Sequence, residues 1–241
     1  MEVKNFLLGY KDLFIIQNTE MFNFSLDSVL LPNFVTINPN INRILDIGTG
    51  NAPIPLILSK KTNAKIVGVE IQKEVFDLAF KSVELNNLSN RISLINDDIL
   101  EYSKKQESDI FDVITCNPPF FKVNKSSKLN NIMFKTIARH ESMLNLAQIL
   151  KVARKLLKNN GIIALVHRPE RLLEIVNEMQ KNNIEPKKIQ FVYPYENKDA
   201  NILLIEGRKN GKPGLKILSP IYTHKADGEY TDMIKKYFQE E

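Results

Sequence analysis

Four polar side chains stand where apolar runs stop, and each is of a type that can hold or polarise a nucleoside. Asp46-Ile47-Gly48-Thr49-Gly50-Asn51-Ala52-Pro53 ends the first such run and opens a helical pattern. Glycines here permit a tight turn and let a ligand approach the backbone, and Pro53 suits a first helical turn. Glu70, followed by Ile71, closes the second run twenty residues after Gly50. A carboxylate at that strand end can accept two ribose hydroxyls. Asp98, followed by Ile99, closes the third run, where a carboxylate or backbone pair can reach an adenine amino group. Taken singly, these residues read equally well as a turn, a solvated strand end and a helix cap. Three anchors on three successive strand ends together make a nucleoside pocket. Asn117-Pro118-Pro119-Phe120 follows the fourth run, either as a rigid turn or as a second, reactive site beside the first.

The charge pattern selects among cofactors. A pyrophosphate cofactor calls for Gly-x-Gly-x-x-Gly. Here Pro53 takes the third glycine position and an acid, Asp46, precedes the first. That acid would repel a pyrophosphate and attract the ammonium of a cofactor carrying an amino acid. S-adenosylmethionine, with a cationic amino end, a ribose and an adenine, fits this pattern. NAD is the runner-up for the same pocket.

These residues need strands to carry them and helices to space them. Apolar runs alternate with helix-period stretches from residue 43 to about 208, the pattern of a parallel sheet covered on both faces. Strands are expected at Arg43–Ile47, Lys65–Glu70, Arg91–Asn96, Asp109–Cys116, Gly161–His167, Lys188–Tyr193 and Ala200–Glu206. The turn Pro194–Asp199 is too short for a crossover helix, so the last pair should be antiparallel. Helices are expected at Pro53–Lys61, Lys73–Asn86, Leu144–Lys158 and Pro169–Lys181, with Asn159-Asn160-Gly161 as a glycine stop. The expected fold is therefore α/β and Rossmann-like, with a seven-stranded, mostly parallel sheet whose last strand is antiparallel. Residues 1–20 read as a hairpin, and Ser25 as the N-cap of an apolar helix Leu26–Val35. Beyond the loop 209–214, a short strand and a polar helix are expected. The division is thus one domain over 1–241, with an extension at 1–40, a core at 41–208 and a tail at 209–241.

Over twenty residues between Phe120 and the helix near Leu144 lack clear periodicity, and loops this long usually carry function or are disordered. Residues 121–140 hold Lys122, Lys125, Lys128, Lys135 and Arg139 and no acid, a charge equal to the net +5 of the whole chain. The rest of the protein is about neutral, so the excess sits beside the fourth strand end, where it could meet phosphates.

With 241 residues, 43% hydrophobic and 25% charged, the chain has the composition of a globular protein. Disorder, collagen and coiled coil are excluded. No apolar run approaches the roughly 18 residues of a membrane span, and the opening residues lack the apolar core of a secretory signal. The lone cysteine, Cys116, excludes a disulfide framework and points to a reducing, cytoplasmic setting. It is expected to point into the sheet rather than act as a nucleophile. Three histidines and one cysteine show no metal-ligand spacing, and His167 reads as structural. No obligate protein partner is evident.

At Asn117-Pro118-Pro119-Phe120 the sequence resembles class I S-adenosylmethionine-dependent methyltransferases, and among them the amino-methyltransferases with Asn-Pro-Pro-[Tyr/Phe]. The resemblance implies that the Asn117 oxygen and the Pro118 carbonyl accept from the hydrogens of a target amine. That aims the nitrogen lone pair at the methyl group. Pro118 and Pro119 would stiffen the backbone, and Phe120 would stack on the base. Phe22–Leu31, Ala138-Arg139-His140-Glu141 and Val166–Leu172 extend the likeness to bacterial tRNA1(Val) adenine-N6 methyltransferases, of the Gram-positive and mollicute type. This implies tRNA as partner and the adenine 3′ of the anticodon as target. Asp46, Gly48, Glu70 and Asp98 match cofactor positions. Asp27 matches a segment that closes over the methionine end, and Gly50, Ile71, Ile99 and Asn117 complete the expected cofactor set. Lys122, Lys125, Lys128, Lys135 and Arg139 are the expected RNA contacts. Phe120 stands where Tyr is more usual. Other amine targets (a guanine N2, a DNA adenine, a protein glutamine) and a non-enzymatic nucleotide-binding module are the alternatives.

Overall fold

Alternate residues of a buried strand face opposite sides of its sheet, and the central strands use both sides for packing. The computed structural model describes residues 1–7, 10–20, 25–118 and 144–237. In chain order the strands are β1 (Glu2–Leu7), β2 (Tyr10–Asn18), β3 (Arg43–Ile47), β4 (Lys65–Glu70), β5 (Ile92–Asn96) and β6 (Phe111–Cys116). They continue with β7 (Leu157–His167), β8 (Ile184–Tyr193), β9 (Ile202–Lys209), β10 (Lys216–Ile217) and β11 (Ile221–Tyr222). The described helices are α1 (Asp27–Phe34), α2 (Pro53–Lys61), α3 (Lys73–Leu85), α4 (Ile99–Lys105), α5 (Leu146–Leu156), α6 (Leu172–Lys181) and α7 (Asp232–Tyr237). Ile44, Ile66 and Val113 enter one apolar core with α1 and α2, whereas Leu45, Ile47 and Ile114 enter a second core with α5. A parallel sheet covered on both faces in this way reads as continuous apolar runs.

The main sheet runs β10-β8-β9-β7-β6-β3-β4-β5, with β11 also on β8. Neighbours are parallel except β9, which is antiparallel to both β7 and β8. The α/β expectation and its single reversed strand are borne out. The strand count is not: the sheet has nine strands, not seven. Residues 216–223 pair along the outer edge of β8 as two short strands where one was expected. Two residues per strand carry no readable period.

Two local expectations also fail. Ser25 does not cap α1; its hydroxyl donates to Asp27 Oδ2 at 3.1 Å, and Leu26 occupies the N-cap without a side-chain bond. The Asn159-Asn160-Gly161 stop lies inside β7. Helix α5 already ends at Leu156, because Leu157 is fully buried and pairs with Phe111 of β6. Gly161 serves a close approach instead, since a Cβ there would lie 2.8 Å from the Lys158 carbonyl oxygen.

Chain connections reverse direction between β3 and β6. From β3 the chain moves to β4 and β5, then returns to β6 on the other side of β3. The crevice outside the carboxyl ends of such a pair is where ligands bind in open α/β sheets. Two additions flank it. The hairpin β1–β2 docks on α3 through Asn86, whose amide bonds both the N–H and the carbonyl of Phe14 at 2.9 and 2.6 Å. Helix α1 is tied down at its C-terminal end by Lys188 of β8. That ammonium donates to the Phe34 carbonyl at 2.7 Å and Thr36 Oγ1 at 2.8 Å, and pairs with the buried Glu206 at 3.0 Å.

Candidate active site

The turn after β3 alternates through left-handed backbone: φ is 65° at Gly48, 59° at Gly50 and 70° at Ala52. Glycine takes this conformation without steric cost. A Cβ built on Gly48 or Gly50 would meet no described atom within 4 Å, so both faces are open to an approaching group. The turn is held from beneath. Gly48 N and Thr49 N donate to the Val69 carbonyl of β4 at 2.9 and 3.1 Å. From the side, Asn51 Nδ2 donates to the Ile16 carbonyl of the hairpin at 3.1 Å.

Glu70 ends β4 with both carboxylate oxygens engaged: Oε2 accepts from Gly50 N at 3.0 Å and Oε1 from Gln72 N at 2.9 Å. Each oxygen keeps a further lone pair. The carboxylate therefore spans the Gly50 turn and the start of α3, and can still accept two hydroxyls. Asn96 at the end of β5 braces the same corner, donating to the carbonyls of Glu70 at 2.8 Å and Ile71 at 3.2 Å. Asp98 caps α4, Oδ1 accepting from Leu100 N at 2.7 Å, with Ile99 buried behind it. Its cap role does not use Oδ2.

Asp46 is fully buried at the end of β3. Its cross-strand partner Thr115 donates to Oδ1 at 2.6 Å, while Oδ2 and the nearby Thr49 hydroxyl oxygen are buried without hydrogen-bond partners. Burial pushes the carboxyl up to about 7, opposed by the hydroxyls of Thr115 and the nearby Thr49 and reinforced by the charge of Glu70. A buried anionic oxygen left unpaired is costly unless a cation or donor meets it. In the ligand-free protein, folding keeps on Asp46 a proton that the unfolded chain loses near pH 4. Its stabilising contribution is thus full below about pH 4 and is lost as pH rises through about 7. Asp46→Asn should therefore be more stable than wild type at pH 8. The gap should shrink at pH 5 by roughly 5 °C in melting temperature, from about 1.4 kcal/mol per pKa unit. Thermal melts with an equal gap at both pH values would mean that Asp46 is not held protonated.

Asn117 and Pro118 follow β6. Asn117 Nδ2 donates to the hydroxyl of Ser28, in the first turn of α1, at 3.2 Å. Beside Ser28, burial pushes the Asp27 carboxyl up, opposed by the Ser25 hydrogen bond and the positive charge of Arg168. His167 ends β7 as a buried group. Its Nδ1 accepts from Arg168 N at 2.8 Å, and burial with Arg171 lowers its pKa to about 4. Cys116 is buried in the sheet and burial raises its thiol pKa well above the ordinary value, as expected of a packing residue.

The structure thus gathers Asp46, Gly48, Gly50 and Glu70 at one corner, with Ile71, Asp98 and Ile99 following along the same edge. Asp27 and Asn117 stand together on the β6 side. Pro119, Phe120 and the cations Lys122, Lys125, Lys128, Lys135 and Arg139 lie outside the described residues. Sequence reasoning missed Ser28, Asn51 and Thr115. Thr115 is visible only through the β3–β6 register, and Ser28 only through the folding of α1 over the sheet. Among the described residues, no group of three or more His, Cys, Asp and Glu could hold a metal ion, and no helix is long and apolar enough to cross a membrane.

Known proteins resemble this chain in sequence and in fold. The chain is 25% identical over 239 residues to a tRNA1(Val) (adenine(37)-N6)-methyltransferase of Flavobacterium psychrophilum, covering 96% of this chain and 99% of that one. It is 29% identical over 215 residues to the protein of that name from Parabacteroides distasonis, covering 88% and 89%. Among solved structures, a predicted O-methyltransferase, Atu636 from Agrobacterium tumefaciens, superimposes with a TM-score of 0.69. It has 18% identity and covers 89% of this chain and 96% of that one, a likeness of fold. The methyltransferase-domain family model matches residues 40–213, from just before β3 to just past β9, and the chain belongs to that family.

Proposed function

We propose that this enzyme transfers a methyl group from S-adenosylmethionine to N6 of an adenine in tRNA, the adenine 3′ of the anticodon in tRNA(Val). The near full-length likeness to relatives bearing that name carries the reading. The site supports it chemically. When bound, S-adenosylmethionine supplies a methyl group already activated by its sulfonium. The residues present fit it: the orphaned Asp46 Oδ2 suits an ammonium, the paired oxygens of Glu70 suit two ribose hydroxyls, and the open faces of Gly48 and Gly50 give room for close approach. Asp98 and Ile99 would hold the adenine side, with Ile71 beside the ribose and Asp27 near the amino-acid end.

Asn117 and Pro118 would accept from the hydrogens of the target amine. An exocyclic adenine nitrogen is a poor nucleophile because its lone pair is delocalised into the ring. Two fixed acceptors draw it towards a tetrahedral form and align it with the donor, and positioning of this kind supplies most of the acceleration. An adenine in an anticodon loop is already unpaired, so presenting it costs less than the few kcal/mol of flipping from a duplex. Lys122, Lys125, Lys128, Lys135 and Arg139 are assigned to the RNA backbone from their charge. A tRNA substrate and the lone buried Cys116 support a cytoplasmic setting.

The test is incubation with labelled S-adenosylmethionine and, separately, unmodified tRNA, ribosomal RNA, duplex DNA and a glutamine-bearing release factor. Label should enter tRNA, and nucleoside mass spectrometry should identify N6-methyladenosine. Label in another substrate, with tRNA blank, would overturn the substrate. No transfer to any acceptor by protein that binds the cofactor would favour a nucleotide-binding module.

A further inference from the structure

The amide of Asn117 has nearly the same shape either way round, so sterics do not decide which atom faces the substrate. A serine hydroxyl can donate or accept, so a bond to Ser28 fixes where this side chain sits rather than which end of it is oxygen. In the structure Nδ2 is directed at Ser28 Oγ, 3.2 Å away, which turns Oδ1 from α1. Only that orientation offers the target amine an acceptor; the reverse would set the amide hydrogens against those of the amine.

Ser28 is suited to hold the side chain there. It is 5% exposed, in the first turn of α1, and its backbone is fixed by a bond from Ser28 N to the Ser25 carbonyl at 3.0 Å. The far end of α1 is anchored by the Lys188–Glu206 pair, and Thr36 N just beyond it donates to Glu206 Oε2 at 2.8 Å. The hydroxyl therefore rides on a helix clamped to β8 and β9, strands different from the one that carries Asn117. A side chain locked by its surroundings loses less freedom when the substrate docks.

We infer that Ser28 is a positioning residue for methyl transfer: its hydroxyl, carried on the clamped helix α1, fixes the place of the Asn117 side chain that meets the acceptor amine. This rests on the reading of Asn117 as the group that meets that amine. It places part of the reaction geometry on α1, which precedes the family-matched segment 40–213.

The experiment compares Ser28→Ala, Ser28→Thr and Asn117→Ala by single-turnover methyl transfer, cofactor calorimetry and tRNA binding. Alanine favours a helix, so Ser28→Ala should fold. Its methyl-transfer rate should fall about tenfold while cofactor and tRNA affinity stay within about twofold, and Ser28→Thr should restore most of the rate. A merely structural role would lower the melting temperature and leave the rate of the folded fraction unchanged. An unchanged rate in Ser28→Ala overturns the inference. If folded Asn117→Ala is itself fully active, the underlying reading fails. If Asn117→Ala is inactive while Ser28→Ala is normal, only the role of Ser28 fails.

Discussion

Asn117→Ala is expected to fold, to bind S-adenosylmethionine nearly as well as wild type, and to lose turnover by a hundredfold to a thousandfold. Removing a preorganised hydrogen-bond partner of a reacting group typically costs about 2.7–4 kcal/mol in the transition state. Cofactor binding should survive because the anchors at Asp46, Glu70 and Asp98 hang on β3, β4 and the β5–α4 turn, whereas Asn117 follows β6. Stability should change little, since among the described residues the side chain gives up one bond, at 3.2 Å, to Ser28. If Asn117 serves only as a turn residue, the pattern inverts: melting temperature falls and the folded fraction keeps its rate. Single-turnover transfer to unmodified tRNA, with nucleosides identified by mass spectrometry, separates the two. Wild-type turnover by folded Asn117→Ala would falsify the catalytic assignment.

Glu70→Ala should be the most damaging change at the cofactor corner. Losing two hydroxyl contacts alone costs about 1.5–3 kcal/mol, or roughly tenfold to a hundredfold in affinity. The structure adds a second cost. The same carboxylate accepts from Gly50 N and Gln72 N, so its removal leaves two backbone donors unmatched and releases the turn that must face the ligand. Affinity should therefore fall at least a hundredfold, with a drop in melting temperature of several degrees. Glu70→Gln is the informative companion. Its single oxygen can satisfy one of the two N–H groups, while its amide opposes the other, so it should lie between wild type and Ala in both measurements. Calorimetry showing unchanged S-adenosylmethionine affinity in Glu70→Ala would remove Glu70 from the site.

Much of this architecture was legible because parallel strands buried on both faces leave long apolar runs with abrupt polar ends. β3 and β4 fall on their expected boundaries, as does α2, and the antiparallel β8–β9 pair follows from a turn too short for a helix. The candidate cofactor corner was legible in outline for the same reason: Asp46, Glu70 and Asp98 each stand where an apolar run stops. Contacts that depend on register or on tertiary docking were not legible. Thr115 meets Asp46 only because β6 pairs with β3 in one register. Ser25 looked like a cap but turns to Asp27. Gly161 looked like a helix stop, yet the buried Leu157 claims its place beside Phe111 and draws the strand four residues further back. At Gly161 a tertiary contact outweighed a local preference, whereas Ser25 took another local partner, two residues along, in place of the cap.

The short strands beyond β9 bear on how the molecule behaves among its own copies. β8 would otherwise end the sheet as a ten-residue strand rich in apolar side chains, with a row of backbone groups turned outward. Such a rim is a template for another chain. Leu218 N donates to the Ile189 carbonyl and Thr223 N to that of Tyr193, both from the segment that carries β10 and β11, and Gln190 bonds the Ser219 carbonyl between them. Pro220, placed between the two strands, keeps the covering segment from becoming a long flat edge of its own. The family-matched segment stops at residue 213, before this cover begins. A fragment cut there would keep Asp46, Glu70 and Asp98 and expose the rim, joining a nearly complete cofactor corner to a surface prone to self-association. The tail thus hems the sheet, covering backbone groups of β8 that a second chain could otherwise pair with.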